Sequence, residues 1–158
     1  MKTRKSLHHA DVKWELKGEE FIDGNYNKAI NITSHLNNKE KITGGFSETG
    51  FQNHFWNPEE LLASALSNCY LLTFLALAKN RKITVYAYED KPTVTLEGTS
   101  AADTKITEVG LYPTVLIKDQ EHISLANEMM EKAHKYCYVA NALKPEIKFE
   151  LDYKVKSV

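Results

Sequence analysis

Cys69 and Cys137 are the only two cysteines in the chain, and a thiolate is both a good nucleophile and a redox centre. A lone buried cysteine is ordinarily an inert core thiol. Here one falls inside a long apolar helical run and the other ends the apolar stripe of a second helix. Packed helices bring such positions to within about 10 Å between axes, where two thiols could alternate between dithiol and disulfide. Phe55, Trp56, Tyr70, Phe74, Tyr136 and Tyr138 flank the cysteines and could line an apolar pocket or fill an ordinary core. His134 shares a helical face with Cys137 and could tune that thiol or complete a metal site with His54 and the cysteines. No Cys-x-x-Cys or His-x-x-x-His spacing supports zinc, and no orienting third residue supports a Cys–His protease.

The elements that must position these side chains are legible in outline. Ala10–Lys17 alternates apolar and polar residues as a half-buried strand does. Phe21–Tyr26 carries Asp-Gly turn chemistry, and Ala29–Thr33 resumes extended character. Residues 37–54 form a polar connection with room for a short strand. Gly44 and Gly45 are turn glycines there, since no Gly-Lys-Ser/Thr follows to make a phosphate loop. Asn57-Pro58-Glu59-Glu60 starts a helix: asparagine caps, proline suits the first position, and the acids favour the positive end of the dipole. From Leu61 to Ala78 that helix is apolar on nearly every face. Its length approaches that of a membrane span, but Ser64, Ser67, Asn68 and Thr73 interrupt it. It reads as a central helix, covered in part by a second subunit.

Three strand-like segments follow, Ile83–Glu89, Thr93–Glu97 and Ile106–Ile117. A second helix is expected from about Glu121 to Cys137, with Asp119 near its start and a buried stripe of Ile123, Ala126, Met130, Ala133 and Cys137. The alternation of Ile147, Phe149, Leu151, Tyr153 and Val155 with charged residues predicts a closing antiparallel strand with one wet face. The fold class expected is α+β with a largely antiparallel sheet packed on two central helices, in one domain spanning 1–158.

Composition bounds the function. The chain has 158 residues, is 42% hydrophobic and 26% charged, and carries a formal net charge of -1. That balance argues against a nucleic-acid or membrane-surface partner. The basic start, Met1 to His9, leads into no apolar run and reads as no signal peptide. Two cysteines are too few for a disulfide framework, so the compartment expected is the reducing cytoplasm.

Two segments then become familiar. Asn57-Pro58-Glu59-Glu60-Leu61 through Cys69 resembles the Asn-Pro-Glu…Cys signature of the OsmC/Ohr family of organic-hydroperoxide reductases. Ala133-His134-Lys135-Tyr136-Cys137-Tyr138-Val139-Ala140 resembles that family's second cysteine segment, with Tyr138 in place of its usual proline. The order and separation of the two segments also fit. The resemblance implies an intertwined homodimer with central helices sandwiched by sheet. It also implies a thiol-dependent peroxidase. The residue matching Cys69 attacks the peroxide and becomes a sulfenic acid. The residue matching Cys137 resolves it to a disulfide, which a dithiol such as a dihydrolipoyl group reduces. No metal, haem or flavin is needed for this chemistry.

In that family a glutamate, matching Glu59, pairs with an arginine to hold the reactive thiol ionised. The arginines of this chain are Arg4 and Arg81, and neither falls in the expected early region. Tyr26-Asn27-Lys28 stands where a subgroup carries a Tyr-Ser-Arg-like element, so Lys28 is the candidate replacement. Lysine supplies a point charge but lacks the planar fork of arginine. The alternative reading is a non-enzymatic relative that binds a small apolar molecule at the subunit interface. A zinc-binding or purely structural homodimer is the remaining rival.

Overall fold

The computed structural model describes residues 10–13, 30–33, 41–44 and 56–158. The Phe21–Tyr26 turn, Trp14–Lys17, Lys28, His54 and Phe55 lie outside them. The chain divides between Pro58 and Glu59 into two compact units. In the first, β1 (Asp11–Lys13), β2 (Ile30–Thr33) and β3 (Ile42–Gly44) form an antiparallel sheet in that order, with Val12 opposite Ile32 and Ile32 opposite Ile42. The short strand anticipated within 37–54 is β3, whose Thr43 carbonyl accepts the Trp56 N–H at 3.0 Å.

The second unit is built around α1 (Pro58–Asn80), which opens with Pro58, Glu59 and Glu60 and carries Lys79 in its last turn. These residues suit the unpaired N–H groups and the dipole at one end and the carbonyls at the other. The helix is long and apolar enough to cross a membrane by length and composition. One stripe of it, Leu66, Tyr70, Phe74 and Ala78, is buried in the protein core. Spacing of four residues keeps that stripe on one face. The helix closes with Lys82 at φ 59, the Lys82 N–H bonding to Lys79 O and the Ile83 N–H to Ala78 O. This is a Schellman stop in which a lysine takes the left-handed position usually given to glycine.

After it come β4 (Val85–Glu89), β5 (Thr93–Glu97), β6 (Lys105–Leu111), β7 (Thr114–Ile117), α2 (Ile123–Tyr136), α3 (Tyr138–Asn141), β8 (Lys148–Leu151) and β9 (Lys154–Ser157). A 3-10 turn at Gln120–His122 precedes α2. Asp119 sits at its start but makes no side-chain capping bond. Two three-stranded sheets result, in the orders β4-β7-β9 and β5-β6-β8.

Here the structure corrects two expectations. The segment Ile106–Ile117 is not one strand: it breaks at Tyr112-Pro113 into β6 and β7, since proline has no N–H to continue the ladder. The closing strand breaks alongside it at Asp152-Tyr153. Asp152 N–H bonds to Leu111 O at 3.1 Å and Lys154 N–H to Pro113 O at 2.9 Å, so pairing resumes across the corner. Moreover β8 runs parallel to β6 and β9 parallel to β7, not antiparallel. The long connection through α2 is the crossover that parallel pairing requires. Alternation in the sequence reported which face is wet, and that holds: Lys148, Lys154 and Lys156 are exposed, while Phe149, Leu151 and Val155 pack on the core. It carried no information on strand direction.

The remaining described pairings, β1–β2, β2–β3, β4–β7 and β5–β6, are antiparallel, so the α+β class with a largely antiparallel sheet stands. One buried cluster joins α1 to Ala126, Met129, Met130 and Ala133 of α2 and to Val109, Leu111, Val115 and Ile117 of the strands. Tyr70 of α1 donates its hydroxyl to the Met130 carbonyl of α2 at 2.8 Å.

Candidate functional site

Cys69 sits mid-way along α1, half-buried against the core. The Thr73 hydroxyl donates to its carbonyl at 2.8 Å within the helix. Cys137 does not end α2, as the periodicity suggested. The helix stops at Tyr136, and Cys137 takes an extended conformation, φ -70 and ψ 113, at the corner between α2 and α3. That turn points its sulfur at the start of α3, where the Ala140 N–H donates to it at 3.5 Å. Tyr138, the residue standing where the family pattern has proline, is the first residue of α3, a position that proline suits.

The two thiols are neighbours, Cys69 packing on the core cluster that contains Cys137. Cys137 is fully buried and both cysteines are free. Cys69 is near enough to Cys137 to influence the ionisation of its thiol. Burial pushes the Cys137 thiol up to about 11. The neighbouring Cys69 adds to the rise, while the Ala140 and Val139 N–H groups oppose it. Burial disfavours a thiolate, and nearby donors favour it. Here burial wins, so Cys137 is a neutral thiol at physiological pH and Cys69 is the more exposed of the pair.

Near Cys137 lies a polar cluster that sequence reasoning missed. Asp90, just past β4, accepts the Ser67 hydroxyl at 2.6 Å, the Tyr88 hydroxyl at 3.1 Å and the Tyr112 N–H at 2.8 Å. Ser67 and Tyr88 oxygens are themselves 3.2 Å apart. Burial, together with the Asp90 charge, lifts the Tyr88 phenol well above its usual range, and Cys137 is near enough to contribute. The only trace in the sequence was Ser67 itself, a polar residue in an apolar run. Its partner Asp90 is 23 positions away and gives no local signal.

Other expected residues are placed differently. Because α1 is continuous, Glu59 in its first turn stands about 15 Å along the axis from Cys69 and does not touch it. Arg81 lies past the opposite end, about 18 Å along the axis, and is exposed. The His134 ring stacks on Phe149 with centroids 4.2 Å apart, so packing accounts for its orientation. Among the described residues no three His, Cys, Asp or Glu side chains gather as a metal site would need. Of the aromatic residues, Tyr70 and Phe74 are filled core, whereas Trp56, Tyr136 and Tyr138 are exposed.

Residues 51–152 match the sequence model of the family described as OsmC-like protein. The chain is 24% identical over 111 residues to the uncharacterised protein YmaD of Bacillus subtilis (strain 168), an alignment covering 63% of this chain and 68% of that one. Its fold superposes on an OsmC-like protein of unknown function from Vibrio cholerae with a TM-score of 0.80 at 27% identity, covering 94% of this chain and 99% of the other. An organic hydroperoxide resistance protein from Elizabethkingia anophelis shares the fold, with a TM-score of 0.69 at 20% identity over 97% of this chain and 100% of that one.

Proposed function

The chain belongs to the OsmC-like protein family, and from that premise we propose that it is a thiol-dependent peroxidase reducing organic hydroperoxides to alcohols. The observation that supports the reading is the nearness of the two thiols: half-exposed Cys69 packs on the core that buries Cys137 and is close enough to raise its pKa. Cys69, as thiolate, attacks the terminal oxygen of ROOH. The O–O bond breaks, the alkoxide takes a proton and leaves as ROH, and Cys69 becomes a sulfenic acid. The Cys137 sulfur then displaces the sulfenic hydroxyl, which departs as water with the Cys137 proton, leaving a Cys69–Cys137 disulfide. A small dithiol, a dihydrolipoyl group being the class in view, returns both thiols and is itself oxidised to its disulfide. A neutral, buried Cys137 suits the resolving role, since it stays out of reach of peroxide until Cys69 has reacted.

The functional form in this reading is a cytoplasmic homodimer. By the family resemblance, Lys28 in place of an arginine is the residue assigned to keeping Cys69 ionised, with Glu59 acting only through such a cation, since it stands about 15 Å along α1 from the thiol. Replacing Lys28 with Met should slow the peroxide reaction of Cys69, and replacing it with Arg should preserve or speed it. Equal rates in all three proteins would remove Lys28 from the site.

The decisive test is turnover of cumene hydroperoxide with a dithiol. Cys69→Ser should abolish it. Cys137→Ser, given one equivalent of peroxide and no dithiol, should stop at the Cys69 sulfenic acid, and excess peroxide should carry Cys69 to sulfinic or sulfonic acid by intact mass. Turnover by Cys69→Ser, or none by the wild type, overturns the reading.

A further inference from the structure

The Asp90 cluster is absorbed neither by the core nor by the reaction steps above. A partly buried carboxylate is held by its donors, and Asp90 has three, each from a different part of the chain. Ser67 belongs to α1 two residues before Cys69. Tyr88 belongs to β4, and the Tyr112 N–H belongs to the corner between β6 and β7. Hydrogen bonds to an ionised acceptor are the stronger kind, and Ser67 at 2.6 Å makes the shortest of the three. Cys137 lies close enough to Tyr88 for charge on one to be felt at the other. The cluster therefore spans from the turn of α1 that carries one thiol to the neighbourhood of the other.

We infer that Asp90 is a positioning residue for the thiol pair: through Ser67, Tyr88 and the Tyr112 N–H it fixes the Cys69 turn of α1 against the sheet, and so holds Cys69 and Cys137 at the separation from which the disulfide closes. This rests on the proposed use of the two thiols as a redox couple. A rigid frame raises the effective concentration of one thiol at the other. Asparagine at this position keeps the shape but offers one carbonyl oxygen where two hydroxyls and an N–H now converge. Loosening the frame lowers that effective concentration and makes the disulfide easier to reduce.

The measurement is the equilibrium of the full-length protein with dithiothreitol and its oxidised form, in which the protein dithiol and the reagent disulfide exchange two electrons and two protons. Asp90→Asn should weaken the Cys69–Cys137 disulfide roughly tenfold, a potential about 30 mV less negative. Ser67→Ala, which removes one donor and no charge, should move it the same way by a smaller factor. Asp103→Ala, which disrupts a turn held by Thr99 and Ser100 between β5 and β6, should leave the potential unchanged. A wild-type potential in folded Asp90→Asn overturns the inference, as does a wild-type potential in Ser67→Ala should Asp90→Asn not fold. An equal shift in Asp103→Ala also overturns it, by showing that general loosening suffices. If the wild type forms no Cys69–Cys137 disulfide at all, the redox reading fails instead.

Discussion

The Tyr70 hydroxyl reaches across from α1 to the Met130 carbonyl of α2 at 2.8 Å, with both side chains fully buried. Tyr70 is the neighbour of Cys69, so the bond ties the helix bearing one thiol to the helix leading to the other. Burial lifts its phenol far above the usual range, and the hydroxyl acts only as a donor. The Met130 carbonyl lies inside α2 and keeps a helical partner when Tyr70 is changed. Tyr70→Phe should therefore cost about 0.5–1.5 kcal/mol, one net hydrogen bond. Tyr70→Ala should cost about 3–5 kcal/mol by leaving a cavity. Urea unfolding followed by circular dichroism checks both; equal midpoints for Phe and Ala would mean the ring is not packed.

The Cys137 thiol makes the protein sensitive to alkali. Its folded value of about 11 lies above the ordinary 9.0, chiefly through burial, so the folded state holds this proton more tightly than the unfolded chain does. The stabilisation is fully present below pH 9.0 and is lost as pH climbs through about 11. Tyr70, Tyr88 and Tyr153 are raised too and act in the same direction, chiefly beyond pH 10.0. Comparison with Cys137→Ala isolates the thiol: that variant should show a shallower fall in stability between pH 9 and 11. In Cys69→Ala the Cys137 titration, read by thiolate absorbance, should move down because the neighbouring thiol that raises it is gone. It should stay above 9.0, since burial is the larger cause. A titration at or below 9.0 in that variant would contradict the buried placement.

At the end of α1, Lys82 holds φ 59 in a stop that satisfies the Ala78 and Lys79 carbonyls. A left-handed conformation costs a non-glycine residue about 1–2 kcal/mol, and the lysine is exposed and makes no buried contact that glycine would lose. Lys82→Gly should raise stability by up to about 1 kcal/mol, seen as a higher denaturant midpoint. A lower midpoint would show that the turn does not keep this geometry.

Much of this architecture was written in local patterns. Proline, asparagine and two glutamates mark the start of α1, and the strand-like segment Thr93–Glu97 coincides with β5. The two cysteines stand out in the sequence as the only pair in the chain, one inside α1 and the other at the end of the α2 pattern. What local pattern could not carry was direction and distance. Phe149 and Val155 face inward whichever way β8 and β9 run, so their parallel pairing depended on the crossover through α2. The corner at Tyr112-Pro113 needed a reading of proline as a break within one extended segment. Asp90 carries no local signal of its role, because its partner Ser67 is remote in sequence. Cys137 was assigned to the wrong side of a helix end for a similar reason, since periodicity fixes a face more firmly than a terminus.

The opposite face of α1 bears on assembly. Leu72 is 60% exposed and Leu75 is 37% exposed, with Ala65 and Ala76 open beside them. They form a stripe turned away from Leu66, Tyr70 and Phe74, as steps of three and four residues require. Covering a leucine fully is worth about 1.5–3 kcal/mol, so the stripe is a driving force for association with a second copy, as the proposed homodimer requires. The expected interface is of obligate size, above about 2,000 Å², and dilution should not release a folded monomer. Leu72→Glu would place a charge in that interface, unpaired and desolvated. The variant should sediment as a monomer or lose solubility, while Lys132→Glu on the surface of α2 should leave assembly unchanged. Sedimentation velocity at low micromolar concentration reads the outcome directly. A compact wild-type monomer, or a Leu72→Glu protein that assembles as the wild type does, would show that this stripe is not the contact between subunits.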